Sequence, residues 1–136
     1  MILSPGDVFV AINLGLSGSE PHFHIVVHRT DDELIIVTYT TTEIEKARAR
    51  CQRAEKIRFS HIEPETLVLT GPNDCASFTS ACAINCNHVQ MMTEESYTTR
   101  PAFRKLHPIG NPKLLDQIKA AIKKSPIVEQ KISQLL

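Results

Sequence analysis

Apolar and polar residues alternate along the first third of the chain. In "GDVFVAINL" (6–14), Val8, Val10, Ile12 and Leu14 alternate with Asp7, Phe9, Ala11 and Asn13. That period of two predicts a strand. "GLSGSEP" (15–21) reads as a loop, because glycine, serine and proline cluster there. In "HFHIVVH" (22–28), a second strand, Phe23, Ile25 and Val27 point one way and His22, His24, Val26 and His28 the other. The expectation is a half-buried strand with its histidines on the face away from the core. "RTDDE" (29–33) is a polar hairpin turn, and "LIIVTYTTT" (34–42) is a third strand rich in β-branched residues. Together these segments predict an antiparallel meander.

The pattern then changes. "EIEKARARCQRAEKIRF" (43–59) is charged and lacks glycine and proline, so it reads as a short helix or a mobile insertion. "TLVLT" (66–70) predicts a fourth strand, "GPNDC" (71–75) a turn, and "ACAINCNHVQMMT" (81–93) one or two strands. "NPKLLDQIKAAIKKS" (111–125) predicts a helix, with Asn111 as cap, Pro112 in the first turn and lysines near the end. Leu114, Leu115, Ile118 and Ile122 form its apolar stripe, and Pro126 stops it. "IVEQKISQLL" (127–136) is a last short helix or a docking tail. Strands first and a helix last imply an α+β, mainly β class: a small bent antiparallel sheet of about five to seven strands or a barrel, with a C-terminal helical segment over 111–136. At 136 residues the chain is expected to form one domain.

Composition narrows the function little. Fifteen basic side chains balance fifteen acidic ones, so net charge gives no argument for nucleic acid. Charge is unevenly spread, however: Lys46, Arg48, Arg50, Arg53, Lys56 and Arg58 outnumber Glu43, Glu45 and Glu55, which makes 43–59 a basic segment. It is either a solvated helix face or a surface for a polyanion. No run approaches the roughly 18 apolar residues of a membrane span. The start of the chain reads as a strand rather than a leader, so a cytoplasmic protein with four reduced cysteines, and no membrane partner, is expected.

Three chemistries are open to these residues. His22 and His24 can both reach one zinc ion, but no CxxC or HExxH is present to complete a site, so no metal is assigned. Cys82, Cys86 and His88 share one strand face, which is either a nucleophile with its base or a core face. The third is acid–base chemistry on RNA. Histidine can move the protons, and hydroxyls such as those of Thr38, Thr40, Thr41 and Thr42 can hold a phosphate.

The order of motifs resembles the PemK/MazF-like family of endoribonuclease toxins, with their SH3-like barrel, and their relatives. Pro5, Gly6 and Asp7 match the opening turn, Gly18 and Glu20 the following loop, Ile25 to Val27 the aliphatic run, and Thr40 and Thr41 the end of the third strand. The segments 81–92 and 111–125 resemble a later strand and the C-terminal helix. The resemblance implies a toxin of a toxin–antitoxin system that cleaves RNA without a metal or cofactor. It also implies a homodimer and a cognate antitoxin as partners. His22 and His24 would transfer protons, Thr40 and Thr41 would hold or orient the phosphate, and Glu20, Arg29, Arg48 and Arg50 would contact RNA. One departure bears on all of this: His22 stands where the family has its catalytic arginine, and Phe23 replaces a proline. Either histidine changes the chemistry, or the protein is a non-catalytic relative that binds nucleic acid or protein.

Overall fold

The computed structural model describes residues 2–12, 21–37 and 40–136. Eight strands among these residues form two antiparallel sheets. The strands are β1 (Val8–Ile12), β2 (Pro21–Arg29), β3 (Glu33–Val37), β4 (Thr40–Thr41), β5 (Leu67–Thr70), β6 (Cys82–Asn85), β7 (Val89–Thr93) and β8 (Arg104–Lys105). The helices are α1 (Ile44–Ala54), α2 (Glu94–Thr98), α3 (Pro112–Lys123) and α4 (Gln130–Ser133). The larger sheet has the order β7-β3-β2-β1-β8 and the smaller one β4-β6-β5.

The α+β, mainly β class is what the protein has. The expected five to seven strands are eight, divided between two sheets, and no closed barrel forms among the described residues. The segment expected as one third strand is split. β3 belongs to the larger sheet, and β4 pairs with β6 through Thr40 opposite Ile84 and Thr41 opposite Ala83.

The meander begins at a tight turn. Asp7 N–H donates to the Ser4 carbonyl at 2.9 Å, with Pro5 and Gly6 at the centre and Gly6 at φ 94°. Glycine reaches that conformation at little cost, and proline presets the position before it. The same turn joins β2, because Val26 N–H donates to the Asp7 carbonyl at 2.9 Å.

β2 lies at the centre of the larger sheet, and both of its faces are covered. Ile25 and Val27 enter the main core with Val8, Ile35, Ile84 and residues of α3. Val26 enters a second cluster with Leu3, Phe9, Leu34, Ile36 and Tyr97 of α2. The expectation of one open face on this strand is therefore corrected. A central strand with packing on both sides buries consecutive residues, not alternate ones.

The basic segment is helical over Ile44–Ala54 and buries Ala47 and Cys51, one turn apart. α3 follows its local sequence: the Asn111 side chain accepts from Lys113 N–H at 3.1 Å, and Pro112 opens the helix. It buries Leu114, Ile118, Ala121 and Ile122, while Leu115 is half-buried. All four cysteines are buried free thiols. No helix among the described residues is long and apolar enough to cross a membrane.

Ile118 is fully buried between the sheets and α3. Ile118→Ala should lower unfolding free energy by about 2–5 kcal/mol, and Leu115→Ala should cost clearly less. Urea denaturation measures both. Equal losses, or a loss at Ile118 below about 0.5 kcal/mol, would remove this helix face from the core.

Candidate functional site

The start of β2 and the short strand β4 meet the loop before β6 at a cleft of about 270 Å³. Phe23 and Phe78 line its apolar part, with ring centroids 5.8 Å apart and planes at 90°. Thr40, Thr41, Thr42, Thr79 and Ser80 line the rest, together with Cys82. Strand alternation brings Phe23 here, on the main-core side of β2. Pairing of β4 with β6 brings the threonines to the same place.

Among the described residues the lining carries no formal charge. Its hydroxyls can each donate and accept. The Thr41 hydroxyl accepts from Glu43 N–H at 3.0 Å, while the Thr40 hydroxyl is buried without a hydrogen-bond partner among the described residues. Burial pushes the Cys82 thiol up to about 11, with the neighbouring Cys75 and Asp74 adding to the shift. Cys82 is thus protonated near neutral pH and is not an activated nucleophile. The volume lies just below the roughly 300–1,000 Å³ of clefts for drug-sized ligands. One planar group, stacked on a phenylalanine and hydrogen-bonded by hydroxyls, suits it.

The residues singled out from the sequence do not converge here. Thr40 and Thr41 line the cleft. His22 and His24 follow the opposite parity of β2 from Phe23. His24 is fully buried, stacked on Phe9 with centroids 4.8 Å apart and planes within 6°, and set against Tyr97 at 5.3 Å. Its Nδ1–H donates to the His22 carbonyl at 2.8 Å. The expectation that His24 faces an open groove is corrected: it is a core side chain, held neutral by its surroundings. His22, opposite Ala11, is half-buried, and its Nε2 is buried with no hydrogen-bond partner among the described residues.

Arg29 sits at the far end of β2, about 20 Å from Phe23 by strand rise. It donates to the Leu3 carbonyl at 2.9 Å and pairs with Glu94. Arg48 is engaged by Glu45 and by Glu63, whose carboxylate lies 2.9 Å from its Nε. Arg50 is exposed on α1. Glu20, Thr38 and most of the 15–21 loop lie outside the described residues. No group of three or more metal-ligating side chains gathers among the described residues. Sequence reasoning missed Phe23, Phe78, Thr79 and Ser80 as lining; the available signal was the hydroxyl-rich run "SFTS" (77–80) between two strands.

No protein-family model and no curated protein matches the chain. The resemblance to PemK/MazF-like proteins rests on motif order alone.

Burial lowers the pKa of His24 from 6.5 to about 4, against the raising effect of its bond to the His22 carbonyl. Between those two values the unfolded chain binds a proton that the folded chain refuses. Stability should therefore fall as pH drops through 6.5 and level off, for this group, below about 4. The loss should reach up to about 3 kcal/mol. Urea midpoints across this range should show the slope in the native protein and a flatter one in His24→Phe. An unchanged slope in the variant would place the titration elsewhere.

Proposed function

We propose that this protein is a nucleic-acid-binding module whose cleft takes one nucleotide of RNA. The carrying observation is the cleft's composition: the half-buried Phe23 ring at a right angle to the buried Phe78, beside the side chains of Thr40, Thr41, Thr42, Thr79 and Ser80, with no charged side chain among the described residues of the lining. A base offers a flat π-face for the rings and donors and acceptors along its edge for the hydroxyls. Neutral hydroxyls suit that edge, and also suit a ribose 2′-hydroxyl, which both donates and accepts. The motif order that resembles ribonuclease toxins supports RNA as the ligand.

Cleavage is the second reading, and a specific observation favours it. His22 Nε2, on the face of β2 away from the cleft, and the Thr40 hydroxyl in the cleft are each buried without a hydrogen-bond partner among the described residues. Buried polar atoms are rarely left so, and sites of chemistry are one place where they are. In this reading His22 moves the proton and His24 does not. The protein would then be a toxin-like endoribonuclease, with an antitoxin and a second copy of the chain as partners.

Anisotropy with a labelled single-stranded RNA tests binding. Thr79→Val with Ser80→Ala, both exposed on the rim, should weaken it about three- to tenfold, the range for one or two net hydrogen bonds. Binding by the double variant equal to that of the native protein would exclude the cleft. The same RNA, end-labelled and resolved on a gel in EDTA, tests cleavage. If the protein cuts, His22→Ala should slow it by about 10²–10⁴. An intact RNA, with no growth arrest on expression, would leave the binding module and remove the endoribonuclease.

A further inference from the structure

A second surface, unlike the cleft, follows α1. We propose that the turn Phe59–Ile62, with Arg53, Lys56 and Arg58, is a docking surface for single-stranded RNA. Bases stack on Phe59 and His61 while the three cations hold the backbone. This rests on the nucleic-acid reading above and assigns it a second contact region.

The turn is built to present its rings. Ile62 N–H donates to the Phe59 carbonyl at 3.1 Å and closes it. The Gln52 amide, from α1, donates to the Ser60 carbonyl at 3.1 Å and the Ile62 carbonyl at 2.9 Å. Its backbone is thus fixed before any partner arrives, which removes part of the ordering cost of binding. Yet its apolar side chains face water: Phe59 is 62% exposed and Ile62 42%. The Phe59 and His61 rings lie side by side, 5.9 Å apart at 38°. Two neighbouring rings on a pinned turn offer faces to flat partners.

The acids and the cations near the turn are differently occupied. The acids each have a partner. Glu55 accepts from the backbone N–H groups of Glu65 and Thr66 at 3.0 and 3.1 Å. Glu63 pairs with Arg48, and Glu65 with Lys124. Arg53, Lys56 and Arg58 are exposed and enter no ion pair among the described residues. Lys56 sits at φ 57°, one residue past the helix cap. Paired bonds from Lys56 N–H to the Arg53 carbonyl and from Ile57 N–H to the Gln52 carbonyl close the helix there. Glycine is the usual residue at such a position. Lysine accepts the strain and places a cation three residues before Phe59.

Rings and cations together select the occupant. An acidic peptide would use the cations but leave the rings bare. Duplex RNA hides its base faces, whereas a single strand exposes both faces and phosphates.

The test uses the full chain and a labelled oligouridylate, with affinity read by anisotropy over a range of salt. Phe59→Ala with His61→Ala should weaken binding at least about fivefold, the lower end for one stacked base. Arg53→Gln, Lys56→Gln and Arg58→Gln together should lower the slope of log affinity against log salt by about 0.7 for each cation that meets a phosphate. Gln52→Ala should weaken binding with every contacting side chain intact. All these side chains but Gln52 are exposed, so unfolding midpoints should stay close to native. Native affinity in both the ring and charge variants overturns the docking surface. The cleft reading then stands if Thr79→Val with Ser80→Ala still loses affinity. Loss in the ring variant with none in that cleft variant overturns the cleft and keeps the turn. Equal competition by duplex RNA or heparin overturns the choice of a single strand, and no binding by the native protein overturns both proposals.

Discussion

Ile25, Val26 and Val27 are consecutive and all fully buried. Successive side chains of a strand point to opposite faces, so β2 gives up water on both sides and needs cover on both. The smaller sheet and α3 cover one side, through Ile84, Ile118 and Ile122. The other side is closed by α2 and the chain after it, through Tyr97 and Phe103. Tyr97 is the only buried residue of α2. Its hydroxyl donates to the Gln90 side chain at 2.7 Å, and Arg100 lies 4.6 Å above its ring. A five-residue helix without a hydrophobic stripe thus earns its position by one aromatic side chain. His24 follows from the same constraint. It occupies a place that an apolar residue would fill elsewhere, and it does so as the neutral ring stacked on Phe9.

A buried polar cluster fixes the second half of the molecule. The Asn87 amide donates to the Thr66 hydroxyl at 3.0 Å and to the Asn85 side-chain oxygen at 2.9 Å. The Ser125 hydroxyl donates to the Asn87 oxygen at 2.6 Å, and the Thr66 hydroxyl donates to Glu55. These groups belong to the end of α1, the start of β5, the end of β6 and the end of α3. A buried polar group left unpaired costs about 1–3 kcal/mol, so each member resists moving away from the others. The cluster turns Glu55 inward and anchors α1 at the point where the Phe59–Ile62 turn begins. The geometry of that exposed turn is therefore set from inside.

How legible each part was depends on how local its cause is. α3 could be read in full because its cap, its first-turn proline and its buried stripe all lie within the segment. β1 and β2 could be read as strands for the same reason. The covered second face of β2 could not, because α2 lies far along the chain and its single buried tyrosine leaves no periodic signal. The uninterrupted run Ile25-Val26-Val27 was the one local hint, since strands buried on both faces lose their alternation. Half of the cleft was equally local: Thr40 and Thr41 stand out at the end of a β-branched run. Phe78, Thr79 and Ser80 reach them only through pairing between β4 and β6, a contact between distant segments. His22 and His24 look equivalent in the sequence. Neighbours from other elements leave one half-buried, with a nitrogen that has no partner among the described residues, and enclose the other.

A formal net charge of zero hides how the charges are arranged. The long-range field of such a protein is weak, so it does little to steer a polyanion from a distance. What remains acts within about 8 Å at physiological salt, the distance over which exposed charges are screened. Within that range the arrangement matters more than the sum. Glu55, Glu63 and Glu65 each have a partner, whereas Arg53, Lys56 and Arg58 near the Phe59–Ile62 turn enter no ion pair among the described residues. The described residues of the cleft contribute no charge. Under the proposed reading, an RNA would be held by contact, through rings, hydroxyls and a few nearby cations. Only the cation part of that attraction weakens as salt rises, so a substantial share of the affinity should outlast the screening of the phosphates.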